Sequence, residues 1–212
     1  TNRLKVSHYA DCFLNPVACL MLAFQLHTGR RTRSEVSLLK WSMVQVSNAL
    51  MILPQTKTSK HNGIYSFALS EPAVEILRII QREKLVKITD KCWFRNRFYF
   101  EPGDIRNKYV FPSRDYGRKI ASGIGKTPYL VDVRKTWLSV LKMAGVERKL
   151  KHYATRHTTM SWTLAQTSNI KSVAEIGGVS EETASGYAKQ SKAVVRKTLK
   201  DMQDLIKPPQ PL

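Results

Sequence analysis

Acidic residues are scarce in this chain: 16 Asp and Glu stand against 35 Lys and Arg. No carboxylate cluster with metal-ligand spacing can be drawn from them, which argues against a metal-dependent nuclease. Cysteine is scarcer still. Cys12, Cys19 and Cys92 show no C-x-x-C pairing, so neither a zinc ribbon nor a disulfide framework is indicated, and they read as thiols of a reducing compartment. No apolar run approaches the ~20 residues of a membrane helix, and no signal peptide is visible. Internal repeats and low-complexity linkers are also lacking. A soluble, intracellular protein of the bacterial cytoplasm is expected, with no membrane partner.

What is present is positive charge. The formal net charge is +19 over 212 residues, while hydrophobic residues make up 42%. That hydrophobic content suits a folded core. A charge this large steers association with polyanions, and nucleic acid is the first candidate. The basic residues are spread along the whole chain instead of forming one amphipathic helix or a terminal polybasic cluster, which disfavours a membrane surface.

Apolar positions three and four apart predict a helix over 13–27, with Asn15-Pro16 in its first turn and Thr28-Gly29 ending it. A second helix is expected from about Ser34 to Trp41. The β-type runs 44–46, 49–53 and 64–69 flank a polar segment ending in Asn62-Gly63, which reads as a hairpin and a small antiparallel sheet. Ser70 is placed to cap a helix carrying Val74, Ile76, Leu77 and Ile80. Residues 84–112 interleave basic and aromatic side chains, as a base-stacking surface or as a loop feeding aromatics into the core. Thr127-Pro128 is expected to open a helix that lines up Trp137, Leu138, Leu141 and Ala144 and stops at Gly145. Helices follow near 154–166, 170–176 and 181–187, then an amphipathic tail over 189–206. The fold class is mainly α with a small antiparallel β-sheet.

Four short stretches stand out by order and spacing: Thr28-Gly29-Arg30-Arg31 with Glu35 and Leu38-Leu39-Lys40-Trp41; Thr56-Lys57-Thr58; Tyr153-Ala154-Thr155-Arg156-His157-Thr158; and Ile176-Gly177-Gly178 with Tyr187 nine residues beyond. Over nearly its whole length the chain resembles the catalytic domain of the tyrosine recombinase family, especially phage-type and mobile-element integrases. The resemblance implies a site-specific recombinase that integrates or excises a mobile element through a covalent 3′-phosphotyrosyl intermediate. It implies Tyr187 as nucleophile, Arg31 and Arg156 as the phosphate-holding arginines, Lys57 as general acid, and His157 and Tyr153 as supporting groups. No metal, ATP or other cofactor is expected. The partners implied are double-stranded attachment-site DNA, a homotetramer on that DNA, and accessory DNA-bending proteins.

The domain reading is one catalytic domain over 1–212, with a core to about 187 and a C-terminal helix and tail over 188–212. An N-terminal DNA-binding domain is expected to lie outside this sequence. The chain departs from the family pattern in three places. Tyr153 stands where a histidine is usual, three residues before Arg156, and Gly178 stands where a histidine or tryptophan is usual. Arg31 and Glu35 are four apart where the family spacing is three, which leaves Arg33 as an alternative to Arg31. Two other readings share the charge and the motifs: a DNA-binding relative with weakened or lost activity, and a type IB topoisomerase-like enzyme.

Overall fold

The computed structural model describes residues 14–53, 65–85, 98–117 and 127–190. Helix α1 (Pro16–Thr28) is apolar around most of its circumference, and it runs through the main core. The Asn15 side chain accepts from the Val17 N–H (3.0 Å), and Pro16 occupies the first turn, where its missing N–H costs nothing. Gly29 ends the helix with φ +65, and a Cβ there would lie 2.7 Å from Met160 Cε. Both the backbone and the space therefore call for glycine.

The chain then makes a π-helical turn (Thr32–Val36), not the ordinary helix expected from about Ser34 to Trp41. The Val36 N–H donates to the Arg31 carbonyl (3.0 Å) and the Ser37 N–H to that of Thr32 (2.8 Å). A π turn holds one residue more than an α turn. A 3-10 turn (Trp41–Met43) leads into the sheet. Strands β1 (Val44–Gln45), β2 (Leu50–Leu53) and β3 (Tyr65–Ala68) pair antiparallel in the order β1-β2-β3. Leu50 faces Ala68 and Leu53 faces Tyr65, while Met51 and Leu53 turn into the core. The polar segment between β2 and β3, with Lys57 on it, lies outside the described residues.

Helix α2 (Glu71–Leu85) lays Ala73, Val74, Ile76, Leu77 and Ile80 against α1. Phe98, Val110 and Phe111 are fully buried in the same core, and Phe111 packs its ring on Phe24 at 5.6 Å between centroids. Phe98 and Phe111 thus serve packing, Tyr99, Phe100 and Tyr109 are half-buried, and residues 86–97 lie outside the description.

Helix α3 (Arg134–Met143) begins later than the Thr127-Pro128 start expected from sequence. The Thr127 hydroxyl donates to the Tyr129 carbonyl (2.8 Å) and Tyr129 forms a bridge to Pro112, so this segment is extended. Asp132 takes over the capping, accepting from the Arg134 N–H (2.8 Å). Leu141 is buried, whereas Leu138 is 57% exposed, so the apolar face is narrower than the periodicity implied.

Helices α4 (Ala154–Thr167), α5 (Ile170–Gly177) and α6 (Glu181–Gln190) build a second, smaller core from Met160, Leu164, Val173, Ala174, Ala184 and Tyr187. Helix α4 also packs on α1, and the Thr159 hydroxyl donates to the Leu26 carbonyl (2.6 Å). The two cores meet where the C-terminus of α1 approaches α4 and the end of α5. The amphipathic tail from residue 191 onward lies outside the described residues. Among those described, no helix is long and apolar enough to cross a membrane.

Candidate active site

Three backbone segments converge at the junction of the two cores: Gly29-Arg30 after α1, the first turn of α4, and Gly177-Gly178 after α5. Arg156, on α4, ties them together. Its guanidinium is 1% exposed and donates to the Gly29 carbonyl (2.6 Å) and the Gly177 carbonyl (2.7 Å). Charge-assisted bonds to carbonyls are among the stronger side-chain contacts. The Arg156 Nε has no partner.

Arg30 comes to the same place from the other side. It is 2% exposed, donates to the Glu175 carbonyl (3.3 Å), and leaves Nε and Nη1 unpartnered. Burial pulls its pKa down to about 10. The Glu35 carboxylate opposes that shift, and the nearby Arg156 and Arg31 charges add to it. The side chain therefore stays cationic at neutral pH. Arg30 and Arg156 are thus two buried cations near one another, each with an N–H that has no partner among the described residues.

Arg31 is placed differently. Its guanidinium pairs with Glu35 (3.2 Å) and its backbone N–H donates to the same carboxylate (3.0 Å). Its side chain is a quarter exposed, while that of Glu35 is buried. The π turn sets the four-residue reach between them. Arg33 is exposed, on the π turn. Of the three adjacent arginines, Arg30 is the one whose charge is buried beside Arg156. Sequence spacing had singled out Arg31 and Arg33.

Gly178 closes α5 in a Schellman turn. The Val179 N–H donates to the Ala174 carbonyl (3.0 Å), the Gly178 N–H to that of Glu175 (3.1 Å), and Gly178 has φ +57. A Cβ at Gly178 would stand 2.5 Å from Arg30 Nη1. The guanidinium of Arg30 thus fills the room a side chain at position 178 would need, where a histidine or tryptophan was expected.

On the adjoining surface, three rings form a row. Tyr153 meets His157 edge-on at 5.0 Å, and His157 lies 5.7 Å from Tyr187, between centroids. Residues 153 and 157 are one helical turn apart, which puts their rings side by side. Tyr153 is 37% exposed, His157 is exposed, and Tyr187 is 9% exposed among the apolar side chains of the second core. Ser180 caps α6 by accepting from the Thr183 N–H (3.2 Å), so Tyr187 sits on the second turn of a helix with a fixed start. The structure therefore brings Arg156, His157, Tyr153 and Tyr187 into one region, with Arg30 beside them, while Lys57 lies outside the described residues. Among the described residues, no group of three or more His, Cys, Asp or Glu could hold a metal ion.

His152 stands beside this region. Burial lowers its pKa, Arg33 and Arg134 lower it further, and Asp132 opposes them. The unfolded chain therefore takes up this proton at a higher pH than the folded one. Stability is present above the unfolded pKa of 6.5 and falls as pH drops through it towards the lower folded value. Thermal melts across this range are expected to show a smaller acid loss of Tm in His152→Gln than in the parent.

Comparison with known proteins places this geometry. The structure is similar to the crystal structure of XerA recombinase (17% identity, TM-score 0.58), covering 92% of this chain and 59% of that one. It is similar to XerH site-specific recombinase bound to difH substrate (16%, TM-score 0.55), covering 86% and 46%. It is also similar to the Tn1549 transposon integrase in complex with transposon right end DNA (17%, TM-score 0.55), covering 95% and 62%. The chain thus spans about half to three fifths of these proteins' lengths, and at such identities the likeness speaks for the fold. No curated protein sequence matches the chain. The model of the phage integrase family matches residues 14–193, and on that match the chain belongs to the phage integrase family of tyrosine recombinases.

Proposed function

We propose that this chain cleaves and rejoins DNA strands at specific sites through a covalent 3′-phosphotyrosyl intermediate, to integrate or excise a mobile element. The observation that carries the reading is the pair of buried guanidiniums, Arg30 and Arg156, together with the Tyr187 ring packed on His157, the residue that follows Arg156. An in-line attack on a phosphodiester builds negative charge on the non-bridging oxygens. Preorganised cations in a buried site stabilise that charge without reorganising, on the order of 3 kcal/mol per donor removed.

In the proposed step the Tyr187 phenolic oxygen forms a bond to phosphorus as the bond from phosphorus to the 5′-oxygen breaks. The phenol gives up its proton to water during the attack. Lys57 donates the proton that the leaving 5′-oxygen takes up. The products are a 3′-phosphotyrosyl linkage and a free 5′-hydroxyl. The linkage keeps the energy of the phosphodiester, so religation to another 5′-hydroxyl runs the same bonds in reverse without ATP or a metal ion.

Arg30 takes the role beside Arg156 in this reading, and Arg31 holds the turn through Glu35. His157 stands beside the nucleophile, with Tyr153 on its other side. The charge of +19 suits a DNA backbone, and the XerH and Tn1549 structures hold DNA substrates. Strand exchange between two sites calls for a tetramer on DNA, with accessory DNA-bending proteins as candidate helpers. A nicked suicide substrate, which loses the 5′-hydroxyl after cleavage, tests the chemistry. The parent is expected to accumulate an EDTA-resistant covalent adduct. Binding without any adduct would favour a DNA-binding relative that has lost the reaction.

A further inference from the structure

Arg30 is clamped from two sides, by Gly178 of the last motif and by Phe67, which lies outside the motifs. Its guanidinium carbon lies 3.3 Å from the centroid of the Phe67 ring, and its Nη1 lies where a Cβ of residue 178 would be. The same hypothetical Cβ would be 3.8 Å from Phe67 Cζ, so ring, guanidinium and glycine form one stack. Phe67 is half-buried on β3, opposite Met51, with the Tyr65 ring stacked alongside at 6.3 Å and 17°. A planar guanidinium lying on an aromatic face is held both by the ring's negative quadrupole and by dispersion, while its N–H edge stays free for another partner.

The remaining contacts do not fix Arg30. Its one hydrogen bond, to the Glu175 carbonyl, is long at 3.3 Å, and Nε and Nη1 have none. The Glu35 carboxylate attracts it, while Arg156 and Arg31 push it away. Neither charge sets the plane of the guanidinium, which the ring face does.

We propose that Phe67 is a positioning residue, with Gly178 as the gap that admits the guanidinium, and that together they hold Arg30 against Arg156 for the scissile phosphate. The proposal rests on the recombinase reading above and adds a residue from the sheet to its machinery. It also gives position 178 a purpose. In this chain a donor from the end of α1 crosses to the place where a side chain from the end of α5 would otherwise reach.

The test compares parent, Phe67→Leu and Phe67→Tyr by three measurements: single-turnover adduct formation on the suicide substrate, affinity for the same DNA, and Tm. Leucine keeps apolar volume and removes the ring face, whereas tyrosine keeps the face. Phe67→Leu is expected to slow adduct formation about tenfold or more at unchanged DNA affinity. Phe67→Tyr should restore the parental rate. A fourth readout does not depend on cleavage. In the parent, the Arg30 side-chain N–H resonances should be shifted upfield by the ring current, and the shift should vanish in Phe67→Leu.

Parental cleavage by Phe67→Leu would overturn the proposal, as would a Phe67→Tyr variant as slow as Phe67→Leu, or parent resonances without a ring-current shift. A parent that shows the shifted resonances but forms no adduct would overturn the recombinase reading while supporting the Phe67 seat.

Discussion

Arg156→Ala is expected to abolish adduct formation, lowering the rate by about a thousandfold, and to destabilise the fold as well. The reason lies in what the side chain holds. Arg156 is buried and joins the Gly29 carbonyl after α1 to the Gly177 carbonyl at the end of α5. Removing it strands two buried carbonyls at the meeting of the two cores. Losing both bonds costs on the order of 3 kcal/mol, partly offset by relief of the repulsion with Arg30. For a chain of this length that corresponds to a drop in Tm of several degrees. Arg156→Lys keeps a charge but not the fork that reaches both carbonyls. It should recover stability only in part, and cleavage hardly at all. A melt and an adduct assay on both variants check this. Unchanged Tm in Arg156→Ala would show that the bridge between the segments contributes little.

The second large effect separates the neighbouring arginines. Arg30→Met is expected to reduce cleavage by about a hundredfold or more without lowering Tm. An apolar side chain of similar length relieves the burial cost of the cation and its repulsion with Arg156, which offsets the lost Glu175 hydrogen bond and Phe67 stacking. Arg31→Met should show the opposite pattern. It leaves the buried Glu35 carboxylate without its cation, so stability falls by roughly 1–3 kcal/mol while the adduct still forms. The reverse outcome, with Arg31→Met inactive at full Tm and Arg30→Met active, would return the phosphate-holding role to Arg31.

Why the sequence pointed to Arg31 is plain from the turn. In Thr28-Gly29-Arg30-Arg31 the spacing to the glycine selects the second arginine, and nothing in the local sequence says which of two adjacent arginines points inward. That is decided by the left-handed Gly29 behind, the π turn ahead, and the Phe67 face and Gly178 gap across the pocket. Phe67 is separated from Arg30 by the whole sheet and carries no motif of its own, so its contact was invisible until the strands were paired. The spacing from Arg31 to Glu35, one residue longer than the family's, was legible as an irregularity, and the π turn is its physical form.

Other parts were easier to read. Helices α5 and α6 begin and α5 ends close to their expected limits because of local punctuation: Asn169 caps α5, Ser180 caps α6, and Gly178 ends α5. Helix α1 is framed by Asn15-Pro16 and Gly29 in the same way. The start of α3 was misplaced because Thr127-Pro128 is a good capping pair in isolation. The competing bridge between Pro112 and Tyr129 is a long-range contact that no window of local sequence contains. Helix α4 was legible but not its faces: Met160 and Leu164 are buried, while Trp162 between them is 70% exposed. The resemblance pointed to Tyr187, and its packing against His157 was not legible in the sequence.

The central claim is that Tyr187 bonds covalently to DNA. The most direct measurement is to trap the parent on a nicked suicide substrate, digest the adduct, and locate the modified residue by mass spectrometry. The account predicts a nucleotide joined through its 3′-phosphate to the peptide containing Tyr187, and no adduct in Tyr187→Phe. An adduct that persists in Tyr187→Phe, or one that maps to another residue, would contradict it.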